Sequence, residues 1–552
     1  MKKHLIIGGV AAGMSAAARL RRIDEKAEII VLERGGYVSY ANCGLPYYIG
    51  DEISDRDELL LQTPESFKRR FNVEVRIHNE ALAIHPDTKT VTVKNVLTGN
   101  QYQETYDTLL LAPGGSPVIP TIPGCEHPAI KTLWTIPDTD EIREIVDGGT
   151  VGTALVVGGG FIGLEMAENL RIRGLRVVLV EMAPQVMNVI DPEMAAIVHR
   201  ELRKNGIELY LNETVTGFEP LAGGGVLAQL GSGTHIETDL VLLSIGVRPN
   251  TGFLADSGIG LGARGHIIVD KHLRTNMPDI YAAGDAIEVV NPFTGKKTAV
   301  PLAGPANKQG RIAADTINGI TARCYNGTMG TAIAKVFDLA VGVTGATEKF
   351  CREEGIPYRS VINHSGHHAG YYPGATMLSF KLLFSPENRR VLGAQAIGCE
   401  GVDKRIDVIA TAIKAGMTVD DLTEIEHAYA PPYSSAKDPV NMIGFVAQNI
   451  LDGLVRSISF DDVKRAVAEG AYLLDVRSPE EFMTGSIHGA VNIPIDILRH
   501  RLSGLPSDRT ILVFCKIGLR GYIASRILTA HGFTKCVNLS GGLDTYNAAY
   551  GI

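Results

Sequence analysis

The sequence predicts an α/β protein. Two interleaved nucleotide-binding units with parallel sheets come first, then an α+β segment, then a separate C-terminal α/β unit. Three observations predict this. A strand, glycine turn, helix and second strand open the chain at Leu5-Ile6-Ile7, and the same order recurs from Thr153. The apolar run Ile280-Tyr281-Ala282-Ala283-Gly284-Asp285 returns to the first unit after the second has closed. Residues 458–552 then repeat a strand–helix alternation of their own.

Each element follows in order. Residues 1–9 form a strand and glycine turn, a helix runs from near Gly13 to about Arg22, and Ala27–Glu33 is the second strand. Thr108–Ala112 is another apolar strand, ending in Pro113-Gly114-Gly115. The second unit has a strand at 153–157, a helix to about Arg173, and strands Arg176–Glu181 and Leu240–Ile245. The expected boundaries are 1–150 with 247–329, 151–246, 330–445, a connector at 446–457, and 458–552.

Composition excludes several classes. The formal charge of −8 gives no support to nucleic-acid binding. No apolar stretch reaches the roughly 20 residues of a membrane span, and Met1-Lys2-Lys3-His4 runs into a strand without a signal peptide. The 7 cysteines are scattered and odd in number, which predicts a reducing cytoplasm rather than a disulfide framework. No metal is expected.

The second glycine motif, Gly158-Gly159-Gly160-Phe161-Ile162-Gly163, follows a strand and opens a helix, with Glu181 at the end of the next strand. Glycines permit the tight turn and close approach to a pyrophosphate, and the helix N-terminus supplies amides. Glu181 suits a ribose 2′-hydroxyl and repels a 2′-phosphate, so NADH is expected over NADPH. The first motif, Gly8-Gly9-Val10-Ala11-Ala12-Gly13, puts Val10 where the pattern has glycine. Glu33 at the next strand end and the distal Gly284-Asp285 support a second nucleotide there, with Asp285 near a ribityl-phosphate.

Cys43 lies in Ser39-Tyr40-Ala41-Asn42-Cys43-Gly44-Leu45-Pro46-Tyr47 with no second cysteine at a redox spacing. Such a thiol oxidises to a sulfenate or forms a mixed disulfide with a small thiol. Ser15, Arg19 and Arg22 are spaced to share a helix face, offering a hydroxyl and two guanidiniums to a phosphate.

On these motifs, together with Tyr429-Ala430-Pro431-Pro432-Tyr433 and its continuation to Pro439, residues 1–445 resemble the single-cysteine branch of the pyridine nucleotide–disulfide oxidoreductases, closest to the coenzyme A disulfide reductases. The resemblance implies Rossmann-like FAD and NAD(P)H domains and a dimerisation domain at 330–445, hence a homodimer with a shared active site. It implies FAD contacts at Gly8, Ala12, Gly13, Glu33, Arg34, Ala81, Ala112, Asp285 and Ala303. For NAD(P)H it implies Gly158, Gly160, Phe161, Ile162, Gly163, Glu165, Glu181 and Gly246. For coenzyme A it implies Ser15, Arg19, Arg22, Ser39, Asn42, Asn307 and Lys437. Where the family can place a lysine this chain has Phe71, so Arg70, Arg69 or Lys68 is expected to substitute. Cys43 is the implied redox thiol, with Tyr371 and Tyr429 reaching it from the partner subunit. His427 reads as structural.

Residues 458–552 resemble a rhodanese domain through Leu474-Asp475-Val476-Arg477-Ser478-Pro479-Glu480-Glu481-Phe482 and Gly485-Ser486-Ile487-His488-Gly489-Ala490. Cys515 follows an apolar strand and Arg520 closes its loop, a setting that stabilises a thiolate or persulfide. Cysteines 125, 324, 351, 399 and 536 read as packing. The implied activity is NAD(P)H-driven, FAD-dependent reduction of coenzyme A disulfide, or of coenzyme A persulfide and polysulfide, with sulfane-sulfur transfer at Cys515. An NADH oxidase or peroxidase cycling a Cys43 sulfenate is a second expectation. A sulfur carrier or redox sensor is a third.

Overall fold

Uninterrupted apolar strands buried on both faces are the signature of a parallel sheet covered by helices. The computed structural model, which describes residues 1–550, contains three such sheets. Contacts divide the chain into two units, Met1–Met182 with Asn212–Thr328, and Ala183–Leu211 with Met329–Ile552.

In the first unit one sheet runs Ile280–Ala282, Thr108–Leu111, Lys3–Ile7, Glu28–Leu32 and Glu74–Arg76, every pair parallel. Leu5, Ile6, Ile30, Val31, Leu109 and Leu111 are wholly buried in its core. The helices Ala11–Ile23 and Ala303–Ile317 pack against each other. The second sheet orders Arg176–Glu181, Thr153–Val157, Leu240–Leu243 and Ile130–Lys131, again parallel. Ile130–Lys131 corrects the expected boundary at residue 150, because this strand hydrogen-bonds in the second sheet. The chain passes between the sheets through the antiparallel pair Gly115–Pro117 and Val247–Pro249.

The second unit holds a five-stranded antiparallel sheet ordered Ala332–Val336, Leu339–Gly345, Val391–Gly398, Met377–Phe384 and Arg359–Gly366. It also holds a parallel sheet ordered Ser457–Ile458, Cys536–Leu539, Ile511–Phe514, Tyr472–Asp475 and Val491–Asn492. The helix Pro439–Leu451 runs into the expected connector, with Ala447 on its buried face, and leaves only a short turn at 452–456. The helix Pro192–Lys204, expected in the second nucleotide unit, groups here and packs on the C-terminal helix Gly542–Tyr550. Wholly buried Lys381 lies 2.8 Å from Asp191 and 2.7 Å from Glu348, and also pairs with Glu193. Burial opposes its charge, but the three carboxylates prevail and hold it protonated. Removing Lys381 would leave these acids uncompensated, which costs on the order of 3–5 kcal/mol for a buried pair.

Candidate active site

Both glycine turns fold the same way, and for the same reason. Gly8 and Gly158 have φ of 104° and 106°, a region L-residues avoid. A Cβ on Gly13 would meet the Gly8 carbonyl oxygen at 1.9 Å, and one on Gly163 would meet that of Gly158 at 1.9 Å. Each strand-end carboxylate accepts a turn amide, Glu33 from Gly9 at 2.8 Å and Glu181 from Gly159 at 2.6 Å. The units differ at the third motif position. Val10 caps the first helix, whereas a Cβ on Gly160 would meet open space. No neighbour in the chain demands glycine there, which fits close approach of a pyrophosphate.

The first turn fits FAD by a separate observation. Asp285 is largely buried and its side chain makes no ion pair or hydrogen bond among the described residues; burial alone pushes its carboxyl up to about 6. A flavin's ribityl hydroxyls would partner such a group. Ala112 closes the strand end, its amide donating to the Ile7 carbonyl at 2.8 Å. Ala81 is half-buried in the strand Asn79–His85, and Arg34 lies at the surface 3.7 Å from Glu80. Gly246 (φ 123°) begins the return to the first sheet.

Cys43 is exposed on the short 3₁₀ turn Asn42–Gly44. It opens onto a pocket of about 560 Å³ whose lining includes Ser15, Arg22, Ser39, Asn42, Arg70 and Asn307. Ser39 adopts the left-handed region (φ 46°) while its amide donates to the Gly9 carbonyl at 2.9 Å, tying the cysteine loop to the first glycine turn. Ser15 hydrogen-bonds Asn307 across the two packed helices. Ala303, expected at the flavin, lines this pocket too. Phe67 and Phe71, with ring centroids 4.8 Å apart, supply an apolar wall.

The structure gives Arg19 a carboxylate partner and narrows the choice at Phe71. Arg19 does not line the pocket; its Nε donates to Asp315 at 2.6 Å, and that fully buried carboxylate also takes Arg323 at 2.9 Å. A buried acid needs cations, and Arg19 is held there. Of the three basic residues offered in place of a lysine at Phe71, Arg70 alone lines the pocket. Sequence reasoning also missed Arg311, which lines the pocket from the helix Ala303–Ile317. Its signal was its place one turn after Asn307.

The surroundings of Cys43 are acidic on the other side. Although Cys43 reaches the surface, partial burial of the thiol first, then Glu165 and Asp285, push it above the ordinary value. Glu165 sits on the helix Phe161–Ile172, where burial and Glu168 push it up to about 7 against the opposing hydrogen bond from the Tyr47 phenol at 3.3 Å. Residues of both nucleotide motifs therefore share one field with the cysteine.

In the second unit, Tyr371 and Tyr429 are 76% and 48% exposed, with hydroxyls 3.2 Å apart. Lys437 is exposed in the same unit. His427 is buried near Asp438 and burial lowers its pKa, which suits packing rather than proton transfer. Cys515 is 0% exposed at the end of the strand Ile511–Phe514, and the Gly518 amide donates to its Sγ at 3.2 Å. Arg520 forms a two-pronged pair with Glu481 at 2.6 and 2.7 Å and also interacts with Cys515. Among the other cysteines, Cys351 and Cys536 are buried, but Cys399 is exposed, against the packing expectation.

Among the described residues no helix is long and apolar enough to cross a membrane, and no cluster of metal-ligating side chains occurs.

Residues 2–310 match the pyridine nucleotide-disulphide oxidoreductases, 331–439 the dimerisation domain of that family, and 459–549 the rhodanese-like domains. The coenzyme A disulfide reductase of Staphylococcus haemolyticus (strain JCSC1435) is 37% identical over 82% of this chain and 100% of its own. A crystal structure of reduced Bacillus anthracis CoADR-RHD is 49% identical, covers 100% of this chain and 98% of that one, and has a TM-score of 0.97. A NAD-dependent persulfide reductase from A. fulgidus is 38% identical over 99% and 100%, with a TM-score of 0.93. The water-forming NADH oxidase of Lactobacillus brevis is 28% identical over 82% of this chain and 100% of its own, with a TM-score of 0.78.

Proposed function

From the premise that the chain belongs to the pyridine nucleotide–disulphide oxidoreductase family, in its coenzyme A disulfide reductase branch, we propose that Cys43 forms a mixed disulfide with coenzyme A during NADH-driven reduction of coenzyme A persulfide and disulfide. We further propose that Cys515 passes sulfane sulfur to that cycle. The protein is an FAD-dependent oxidoreductase with a C-terminal rhodanese domain. The carrying observation is the single pocket that joins Cys43 to Arg22, Arg70 and Arg311.

Coenzyme A is a long anion with a thiol at one end. In this reading the three guanidiniums hold its phosphates, against a chain charge of −8. Phe67 and Phe71 cover an apolar stretch of the ligand, while Ser39 and Asn42 lie beside the reacting sulfur. The Cys43 thiolate attacks coenzyme A disulfide, the S–S bond breaks, and one coenzyme A thiolate leaves with the electron pair. With the persulfide, attack on the carbon-bound sulfur expels hydrosulfide instead. Either route leaves Cys43 joined to coenzyme A. When bound, FAD supplies the two-electron relay between the nicotinamide and this disulfide. Glu165, whose burial pushes its carboxyl up to about 7, reduces the negative charge beside the thiolate when it carries its proton. Tyr371 and Tyr429 serve from a second copy as hydrogen-bond donors to the leaving thiolate.

The likeness to the persulfide reductase extends through the C-terminal unit, whereas that to the NADH oxidase covers 82% of the chain. This supports a sulfur acceptor over oxygen. NADH consumption with coenzyme A disulfide, coenzyme A persulfide and air-saturated buffer as sole acceptors tests the reading. Fast turnover with both sulfur substrates and slow turnover with oxygen is expected. The reverse order would establish the oxidase.

A further inference from the structure

Arg520 meets any incoming anion with its charge already partly neutralised. Both of its terminal nitrogens donate to Glu481, and this hydrogen-bonded pair holds the Glu481 carboxyl down at about 2, so it stays charged. Arg477, which also acts on Glu481, is itself held by Asp475 at 2.7 Å. Lys516, the other basic residue of the loop, is exposed and lowers the Asp544 pKa only through its charge. A rhodanese loop that takes sulfur from a dianion needs an available cation, because donor and thiolate repel. Here the guanidinium that reaches Cys515 is already paired with a carboxylate, which leaves the exposed Lys516 as the loop's other cation.

We propose that Glu481 sets the sulfur-donor preference of Cys515, occupying Arg520 so that the site takes sulfur from persulfides of low charge rather than from thiosulfate. The proposal rests on the reading of Cys515 as a sulfane-sulfur acceptor. With an alkyl persulfide, the Cys515 thiolate attacks the terminal sulfur, a Cys515–S–S⁻ persulfide forms, and the alkyl thiolate leaves with the electron pair of the broken S–S bond. With thiosulfate the same bond forms and sulfite leaves, so both reactions balance without another reactant. They differ in the charge that must approach. Glu481 acts through Arg520 and is a positioning residue.

Glu481→Gln keeps the helix cap, because a glutamine oxygen can still accept from the Ser478 amide, now bonded to Glu481 at 3.0 Å. It removes one negative charge and loosens Arg520. The full-length, FAD-loaded protein carrying Cys43→Ser is treated with thiosulfate or with pantetheine persulfide, and persulfide on the Cys515 peptide is timed by mass spectrometry. Glu481→Gln should raise the thiosulfate rate about tenfold and the pantetheine persulfide rate less than about twofold. In an Arg520→Ala background the same substitution should leave the donor ratio unchanged. An unchanged ratio with Arg520 present overturns the proposal alone. No persulfide on Cys515 from either donor, before Glu481 is altered, overturns the reading beneath it and the proposal together.

Discussion

The two thiols Cys43 and Cys515 occupy opposite kinds of environment. Cys43 reaches the surface and opens onto about 560 Å³ lined by three arginines, while partial burial and then two carboxylates push its thiol up. Cys515 is wholly buried, receives a loop amide at 3.2 Å, and has one arginine already paired with a glutamate. A wide, basic pocket suits a long anionic carrier. A closed loop suits a single sulfur atom. Cysteine chemistry here is set by what the surroundings can admit as well as by the thiol.

The comparison breaks most sharply at Cys43. Cys43→Ser should retain FAD absorbance and lower coenzyme A disulfide turnover below roughly a thousandth, since a hydroxyl is a poor nucleophile at neutral pH. Undiminished turnover would remove Cys43 from the reaction.

Cys515→Ser should lower polysulfide turnover by about tenfold or more while changing coenzyme A disulfide turnover less than about twofold. Loss on both substrates would give the C-terminal unit a structural role. Loss on neither would make it a passenger.

Arg22→Ala with Arg70→Ala sharpens the carrier side. The apparent KM for coenzyme A disulfide should rise about tenfold, because each exposed, charge-assisted contact gives at most about 1.5–3 kcal/mol before solvent screening. The KM for pantethine, which has no phosphate, should stay within about twofold. Equal effects on both would mean that the arginines form only a solvated face.

A smaller difference is expected between cofactors. kcat/KM for NADH should exceed that for NADPH by about tenfold, because Glu181 at its strand end repels a 2′-phosphate. A preference for NADPH in steady-state kinetics would show that other groups override it.

The glycine turns were legible because their chemistry is local. Gly8 and Gly158 each need a positive φ, and Gly13 and Gly163 each face a carbonyl only a few residues back. The cysteine loop was legible for the same reason. Helical spacing puts Arg19 near Ser15 but cannot reveal Asp315, its partner 296 positions away. Arg311 was missed because its helix meets the first one only through tertiary packing, although Asn307 one turn earlier marked the correct face. The pairing of Arg520 with Glu481 was hidden likewise, since 39 positions separate them. The helix Pro192–Lys204 has a nucleotide-unit sequence context, but its carboxylate neighbours meet Lys381 on the antiparallel sheet, a long-range choice no motif records.

The most direct measurement is the intact mass of the protein after treatment with coenzyme A disulfide, taken before and after dithiothreitol and followed by peptide mapping. One coenzyme A per chain is expected, attached at Cys43 and released by dithiothreitol. A protein without the adduct, or one carrying it at Cys515 or Cys399, would contradict it.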